Sequence, residues 1–132
     1  MSSLINTNAF DYVNVLEKAA DAAWMRHDAI SNNLSNVDTP GYKRQDVDFE
    51  SQLAHALKNS RYTPMDTRVA NINMSRLNPI CYTDYASFSY RLDGNNVDVD
   101  TEGVYLAKNQ ITYQGLELSI AQEFKNLQLV MK

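Results

Sequence analysis

The segment from residue 31 to 43, SNNLSNVDTPGYK, constrains the fold more than any other part of the chain. Asn, Ser and Asp side chains compete with the backbone for hydrogen bonds, so a cluster of them weakens a helix from within. Pro40 disfavours helical geometry at Thr39, and Gly41 can take the positive φ angle that a type II turn requires. The segment therefore predicts that a helix ends here and that the chain turns.

The residues before this turn carry the pattern of a long amphipathic helix. An apolar seam recurs at alternating spacings of three and four residues, as in a heptad repeat. The seam positions are Ala9, Val13, Leu16, Ala20, Ala23, His27, Ile30, Leu34 and Val37. This pattern predicts a helix from about residue 9 to 36, roughly 42 Å long. His27 is interpreted as a core histidine or a polar residue that sets the register, since no second metal ligand stands at a suitable spacing.

A second long helix is predicted from about residue 99 to 131, with Asp98 as its N-cap. Two apolar stripes run along it, displaced by two residues and so by about 200° around the helix axis. One stripe consists of Leu106, Tyr113, Leu116, Ile120, Phe124, Leu127 and Met131, and the other of Val104, Ala107, Ile111, Leu118 and Leu129. A helix that is apolar on two opposite faces has to be covered on both, so we expect the chain to function in an assembly.

The two long helices are predicted to pair as an antiparallel, coiled-coil-like hairpin. The predicted register sets small seam residues of the first helix against large residues of the last, as interdigitated packing favours. The pairs are Ala9 with Met131, Val13 with Leu127, Leu16 with Phe124, Ala20 with Ile120, His27 with Tyr113 and Leu34 with Leu106. A parallel arrangement stays open, because the segment from 38 to 97 is long enough to run back along the helix.

The segment between the long helices is expected to be rich in loops. Asp46 or Asp48 can cap a short helix that follows them. Residues 59 to 78 show no clear period and are interpreted as a loop or as a segment that orders on contact. From residue 82 to 92 aromatic residues partly alternate with polar ones, which favours a short strand or an extended arm. The expected fold class is therefore mainly α, with a short helix and candidate short strands in the middle.

Charge and motifs argue against several other classes of protein. The formal net charge is −4, and the basic pair Lys43-Arg44 is too small for a nucleic-acid surface. The glycine in the run from Asp93 to Glu102 lies at the wrong position for a calcium loop, so this run is interpreted as a turn and a helix cap. With one cysteine, two histidines and no nucleophile–base motif, we expect no catalytic residue, cofactor, metal site or small-molecule substrate.

Two stretches at opposite ends of the chain resemble the bacterial flagellar basal-body rod protein family. The string NNLSNVDTPGYK is similar to the N-terminal signature of these proteins, in which an asparagine-rich helix end leads into a T-P-G-Y-K turn. The continuation RQDVDF, and DGNNVDVDTE before the last helix, resemble the short proximal members. Among these, the most proximal member is the best match and the C-type proximal member is its close competitor.

The resemblance implies a structural subunit of the proximal rod, the helical drive shaft that transmits motor torque in the flagellar basal body. The implied partners are further copies of the chain, other rod proteins, the adaptor protein at the rod base and the ring in the inner membrane, with no direct membrane insertion. The resemblance also implies type III export into the periplasmic rod without a cleaved signal peptide, and the N-terminal residues lack the pattern of such a peptide. A small secreted helical-hairpin adaptor is the alternative from another class.

Three segments are expected from this organisation. Residues 1–58 hold the first rod-type helix, the turn and the short helix, 59–97 a variable, partly extended or flexible middle, and 98–132 the last rod-type helix. The predicted interface residues lie at the turn and on both long helices. They are Trp24, Ile30, Leu34, Pro40, Gly41, Tyr42, Ile111, Leu118, Ile120, Phe124 and Leu127.

Overall fold

Two long helices form most of the computed structural model, which describes residues 8–57, 64–85 and 91–131. In chain order the elements are α1 (Asn8–Ser35), β1 (Gln45–Asp48), α2 (Glu50–Leu57), α3 (Met65–Ala70), β2 (Ile80–Thr83) and α4 (Val99–Met131). The prediction of a mainly α fold with long helices at both ends is confirmed. None of the described helices is both long and apolar enough to cross a bilayer.

The ends of the long helices are set by local side chains, as predicted. At the start of α4 the Asp98 carboxylate accepts hydrogen bonds from the backbone N–H of Asp100 at 3.1 Å and from the Thr101 hydroxyl at 2.9 Å. At the end of α1 the Ser35 hydroxyl and the Asn36 amide donate to backbone carbonyls four residues earlier, at 2.9 and 2.8 Å. Such bonds satisfy or compete for backbone groups in the terminal turns, so each helix ends where its polar cluster stands.

The two long helices pack antiparallel, which confirms the predicted hairpin, but the predicted register is wrong. Asn33 contacts Glu102, and Asn109 contacts the Ala23 carbonyl. The predicted register would instead set Asn33 against Ala107 and Ala23 against Glu117. The shift brings polar residues of α4 to the seam of α1.

The burial of individual seam residues follows from this shift. His27 is exposed, so its interpretation as a core histidine is wrong. Val13, Ala23 and Ile30 are buried as the seam pattern predicts. On the stripe of α4 that was predicted to face α1, Leu127 is buried, whereas Phe124 and Met131 are 48% and 75% exposed.

A second face of α1 packs against the middle of the chain. The core cluster there consists of Ala22, Phe49, Ile72 and Leu77, with partly buried Val15, Ala19, Leu53, Ala56, Leu57 and Met74 around it. Of the two alternatives for this segment, a plain loop is wrong at α3, Met65–Ala70, whereas ordering on contact stays a prediction. Residues 71–78 form turns and irregular structure from which Ile72 and Leu77 are buried in the core cluster. The sequence shows no period there because α3 has only six residues and the turns after it bury single side chains.

The strands β1 and β2 form a two-stranded antiparallel sheet in which Gln45 lies opposite Thr83 and Asp48 opposite Ile80. Of the strand predicted from residue 82 to 92, the structure confirms its first two residues, and residues 86–90 lie outside the described part. The short helix predicted after Asp48 is present as α2, and the Asp48 carboxylate accepts a hydrogen bond from the Ser51 backbone N–H at 3.3 Å. A sheet of two strands is marginal alone, so its contacts with the long helices matter.

Candidate assembly surfaces

The turn after α1 and the segment before α4 pack against each other through their backbones. Gly41 has a φ of +73°, and its N–H donates to the Asp93 carbonyl at 2.7 Å. Gly94, with a φ of +79°, presents its carbonyl to the Lys43 ammonium group. Both glycines take a left-handed conformation that costs other residues strain. We call residues 36–43 and 91–97 together the turn junction.

Asn95 is fully buried in the turn junction and binds the backbone of the turn that follows α1. Its Nδ2 group donates to the carbonyls of Asn36, Val37 and Thr39 at 2.9, 3.0 and 2.9 Å. Its Oδ1 atom accepts from the Val97 N–H at 2.8 Å. Buried carbonyls need hydrogen-bond donors, so one side chain from the segment before α4 satisfies three carbonyls of the turn after α1.

A buried ionic cluster lies next to the turn junction, between β1 and both long helices. The Arg44 Nε donates to Glu102 Oε1 at 2.6 Å, and its NH1 donates to Asp84 Oδ2 at 2.8 Å. The other Glu102 oxygen accepts from Asn33 Nδ2 at 3.2 Å, and Asn96 Oδ1 accepts from the Arg44 backbone N–H at 2.7 Å. We call Asn33, Arg44, Asp84, Asn96 and Glu102 the ionic cluster.

The charge of Arg44 is stabilised by its acidic partners. Burial alone would lower the pKa of Arg44, but its hydrogen bonds with Glu102 and Asp84 raise that pKa above the ordinary value. The Tyr105 ring lies 5.3 Å from the guanidinium group and adds a cation–π contact. Because Glu102 is only 1% exposed, this arrangement holds one carboxylate and one guanidinium out of water as a matched pair.

Tyr42 extends the ionic cluster toward the turn. Its hydroxyl donates to Asn33 Oδ1 at 3.0 Å, and the same oxygen accepts from the Gln45 N–H at 2.8 Å. Burial, followed by the nearby Glu102 carboxylate, raises the pKa of the Tyr42 phenol. The TPGYK string therefore acts within the subunit, where Gly41 and Tyr42 fix the turn, while Pro40 is exposed.

The predicted interface residues that lie on the long helices fall into two groups. Trp24, Ile111, Leu118 and Phe124 are exposed, at 57%, 70%, 73% and 48%. The remaining apolar members of the long helices lie buried or half-buried within the subunit, where they pack within the hairpin. They are Ile30, Leu34, Ile120 and Leu127. The structure thus brings the first group to a surface that another molecule could cover, and Pro40 and Gly41 of the turn are exposed as well.

The exposed apolar residues of α4 form a stripe on the side away from α1. Val104, Ile111, Leu118 and Leu129 are 64%, 70%, 73% and 70% exposed. Their spacings of seven and eleven residues place them on one face of the helix. We call these four residues the outer stripe. A row of exposed, large apolar side chains on one helix face is typical of an interaction site.

Sequence reasoning missed the buried polar residues. Six described polar or charged residues are buried, namely Asn33, Arg44, Asn95, Asn96, Glu102 and Asn109. The asparagines read as turn formers because that is their usual role, and nothing local shows that the two turns meet. One feature of the sequence could have indicated them: the stretches at residues 31–43 and 93–102 both contain more asparagines than a single turn requires.

Comparison with known proteins gives one consistent family. Residues 14–43 match the family described as flagella basal body rod protein. The chain is 37% identical over 118 residues to the flagellar basal body rod protein FlgB of Bacillus subtilis (strain 168), covering 88% of this chain and 89% of the relative. It is 33% identical to FlgB of Borrelia hermsii, over 91% and 95% of the two chains, and 29% identical to FlgB of Escherichia coli (strain K12), over 88% and 89%. The resemblance noted from the turn and from the entry to the last helix is thereby confirmed, and the chain belongs to the FlgB family of flagellar basal body rod proteins.

Proposed function

We propose that this chain, a structural subunit of the proximal rod of the flagellar basal body, packs against neighbouring rod subunits through the outer stripe of α4. The observation that carries the proposal is the exposure of four large apolar side chains on the face of α4 away from α1. Covering one such side chain contributes roughly 1.5–3 kcal/mol, so an interface that covers all four gains substantially.

The subunit has features that suit a mechanical role. The ionic cluster joins the start of α4 to the end of α1, and Asn95 holds the turn that follows α1. The seam between the two helices buries Val13, Ala23 and Leu127 together with the polar Asn109. A shear force along the helices would have to break buried, charge-assisted hydrogen bonds. We propose that these contacts let the subunit transmit torque as a rigid hairpin without chemistry.

The proposed partners are other copies of the chain, the other rod proteins, the adaptor at the rod base and the inner-membrane ring. Membership of the family supports contacts with rod components, and the adaptor and ring contacts are part of the proposal. Export to the rod without a cleaved signal peptide belongs to the same proposal. A secreted helical-hairpin adaptor would share the hairpin, but it would not require the signature turn that residues 14–43 match.

The test is the variant Leu118→Asp, with Ser119→Asp as its control. Both residues are exposed on α4, but Ser119 lies off the outer stripe. We expect both purified variants to keep the free energy of unfolding of the parent within about 0.5 kcal/mol, because neither side chain is buried in the subunit. In cells lacking the native gene, Leu118→Asp should abolish swimming and leave no rods in basal-body preparations, whereas Ser119→Asp should restore both. Normal rods with Leu118→Asp would overturn the proposal.

A further inference from the structure

The helix α1 also carries an exposed stripe, which consists of aromatic and acidic side chains. Phe10 and Trp24 are 46% and 57% exposed, and Glu17, Asp21 and Asp28 are exposed as well. Spacings of three, four and seven residues place all five side chains on one face of α1. Within the described residues the three carboxylates form no salt bridge. We call this set the acidic-aromatic stripe.

Trp24 is held in place by other rings of the subunit. Its ring stacks on His27 at 5.8 Å between centroids and lies 6.3 Å from Tyr113 of α4. A groove of about 240 Å³ beside it is lined by these rings and by Asn109, a 4% exposed residue whose Oδ1 has no hydrogen-bond partner in the described part of the chain. A large side chain that is already ordered loses little entropy when a partner covers it, which is typical of a binding anchor.

The outer stripe has a gap at its centre that fits such a side chain. Ile111, Gln114, Gly115 and Leu118 are all exposed and stand at positions i, i+3, i+4 and i+7, the four corners of a hole in knobs-into-holes packing. A Cβ atom added at Gly115 would meet no atom within 4 Å, so the hole is open in the single subunit. The hole therefore has room for a ring from another helix.

Two lysines flank the hole. Lys108 and Lys125 lie beside the outer stripe, seven residues before and ten after Gly115, and both are exposed. Neither forms a salt bridge within the described residues. The outer stripe is thus apolar and flanked by two lysines, whereas the acidic-aromatic stripe combines two aromatic rings with three carboxylates.

We infer that the acidic-aromatic stripe of one subunit docks on the outer stripe of a second copy of the same chain, with Trp24 in the hole at Gly115. This inference rests on the proposed function, because it names the surface that covers the outer stripe. With the two helices antiparallel, the contact also sets Phe10 beside Leu129. A ring then meets an apolar side chain at a second point of the interface.

Charge complementarity favours the same antiparallel direction. In the antiparallel contact, Asp28 of one copy lies within one helical turn of Lys108 of the other, and Glu17 lies within one turn of Lys125. In the parallel direction, with Trp24 in the same hole, Phe10 would lie beside Thr101 and no residue of the acidic-aromatic stripe would reach Lys125. Of the two directions, only the antiparallel one places both Lys108 and Lys125 near a carboxylate of the acidic-aromatic stripe.

The antiparallel contact is also the one expected between subunits that all point the same way in a filament. Since α1 and α4 are antiparallel within a subunit, two copies that point the same way present α1 of one antiparallel to α4 of the next. The two stripes are different surfaces, so the contact is heterologous and leaves a free stripe at each end of a pair. Such contacts propagate into rings or helical tubes instead of closing as dimers.

The experiment uses assembled rods and pairs of single-cysteine variants in a Cys81→Ser background. In the antiparallel contact residue 17 of one copy lies opposite residue 122 of the other, so the first pair is Glu17→Cys with Gln122→Cys. In the parallel contact residue 31 lies opposite residue 122, so the second pair is Ser31→Cys with Gln122→Cys. Each pair is co-expressed as two separate chains, so that a covalent dimer reports contact between copies. A disulfide requires Cα atoms within about 7 Å, so we expect the 17–122 dimer to exceed the 31–122 dimer by about tenfold in isolated basal bodies.

Two further variants test the hole and the charges. Gly115→Leu should lower the yield of the 17–122 dimer by about tenfold by filling the hole, whereas Gly103→Leu, also an exposed glycine of α4 with open space around it, should not. Lys108→Glu should lower the yield, and adding Asp28→Lys should restore it.

The outcomes separate this inference from the proposed function. If rods assemble but neither dimer forms, while Leu118→Asp still prevents assembly, another rod protein covers the outer stripe and the inference is overturned. A dominant 31–122 dimer would overturn it as well. Normal assembly of Leu118→Asp would instead reject the proposed function on which it rests.

Discussion

Replacing Glu102 by Gln tests whether the ionic cluster holds the hairpin together. The substitution keeps the size of the side chain but removes the charge that faces Arg44 at 2.6 Å, and it places an amide N–H group near the donor of Asn33. Removing one partner of a buried pair typically costs about 3–5 kcal/mol. Asp84, at 2.8 Å from Arg44, still neutralises part of the arginine charge in the variant. We therefore expect a loss in the free energy of unfolding near the lower end of this range, about 3 kcal/mol.

Urea unfolding followed by circular dichroism measures this loss. For a small protein the free energy of unfolding falls by about 1–3 kcal/mol per molar urea, so the midpoint should drop by about 1–3 M. Glu117→Gln, an exposed position of the same helix, should change stability by less than about 0.5 kcal/mol.

A double-mutant cycle sharpens the test. Arg44→Met combined with Glu102→Leu removes both charges, and the double variant should be more stable than the sum of the single losses predicts. A loss below about 1 kcal/mol for Glu102→Gln, or strictly additive single losses, would show that the pair is effectively solvated and would refute the reasoning.

Three further predictions concern the turn junction and α2. Asn95→Ala should cost about 2–4 kcal/mol, because two buried N–H groups that serve three carbonyls are lost, and hydrogen exchange should accelerate at residues 33–37. Gly41→Ala should destabilise by about 1–2 kcal/mol in urea unfolding, since φ is +73°, whereas Gly103→Ala in the helix should be neutral or stabilising. Although burial would raise the pKa of Glu50, its hydrogen bonds with Arg26 lower it below the ordinary 4.5, so its contribution to stability is present above that pH and lost as the pH falls through the lowered value. Glu50→Gln should therefore flatten the acid side of the stability–pH profile, as measured by thermal melts.

The parts of the fold that the sequence predicts are those that depend on short-range chemistry. The bounds of α4 follow from the Asp98 cap and from an apolar pattern sustained over the length of the helix. The end of α1 follows from the cluster of Asn and Ser residues near Asn36. The outer stripe was also predictable, because a second apolar face on a helix is visible in the spacing of Ile111 and Leu118.

The remaining parts depend on contacts between distant segments. The face of α1 that contains Ala22 reads as weakly apolar, and only the arrival of Ile72 and Leu77 makes it a core. The polar residues of the turn junction carry no sign of their partners, since Asn95 and the carbonyls it caps are far apart in the chain. Sequence spacing predicts which face of a helix is apolar, but it does not say which distant segment covers that face.

The shifted register shows which interaction aligns the two long helices. Their seam contains Ala20, Ala23 and the exposed His27, and small or polar residues allow several registers that differ by a helical turn with similar apolar burial. The ionic cluster favours one of them, because a slip of one turn would separate Glu102 from Arg44 and leave the buried Glu102 carboxylate without its cationic partner. The register of the two helices is therefore set by the ionic cluster, at the junction between the end of α1 and the start of α4. Because the acidic-aromatic stripe is on α1 and the outer stripe on α4, the same junction fixes the axial offset between the two surfaces through which we propose that subunits join. A slip of one turn would shift that offset by about 5.4 Å in every subunit, an error that a repeating assembly would accumulate.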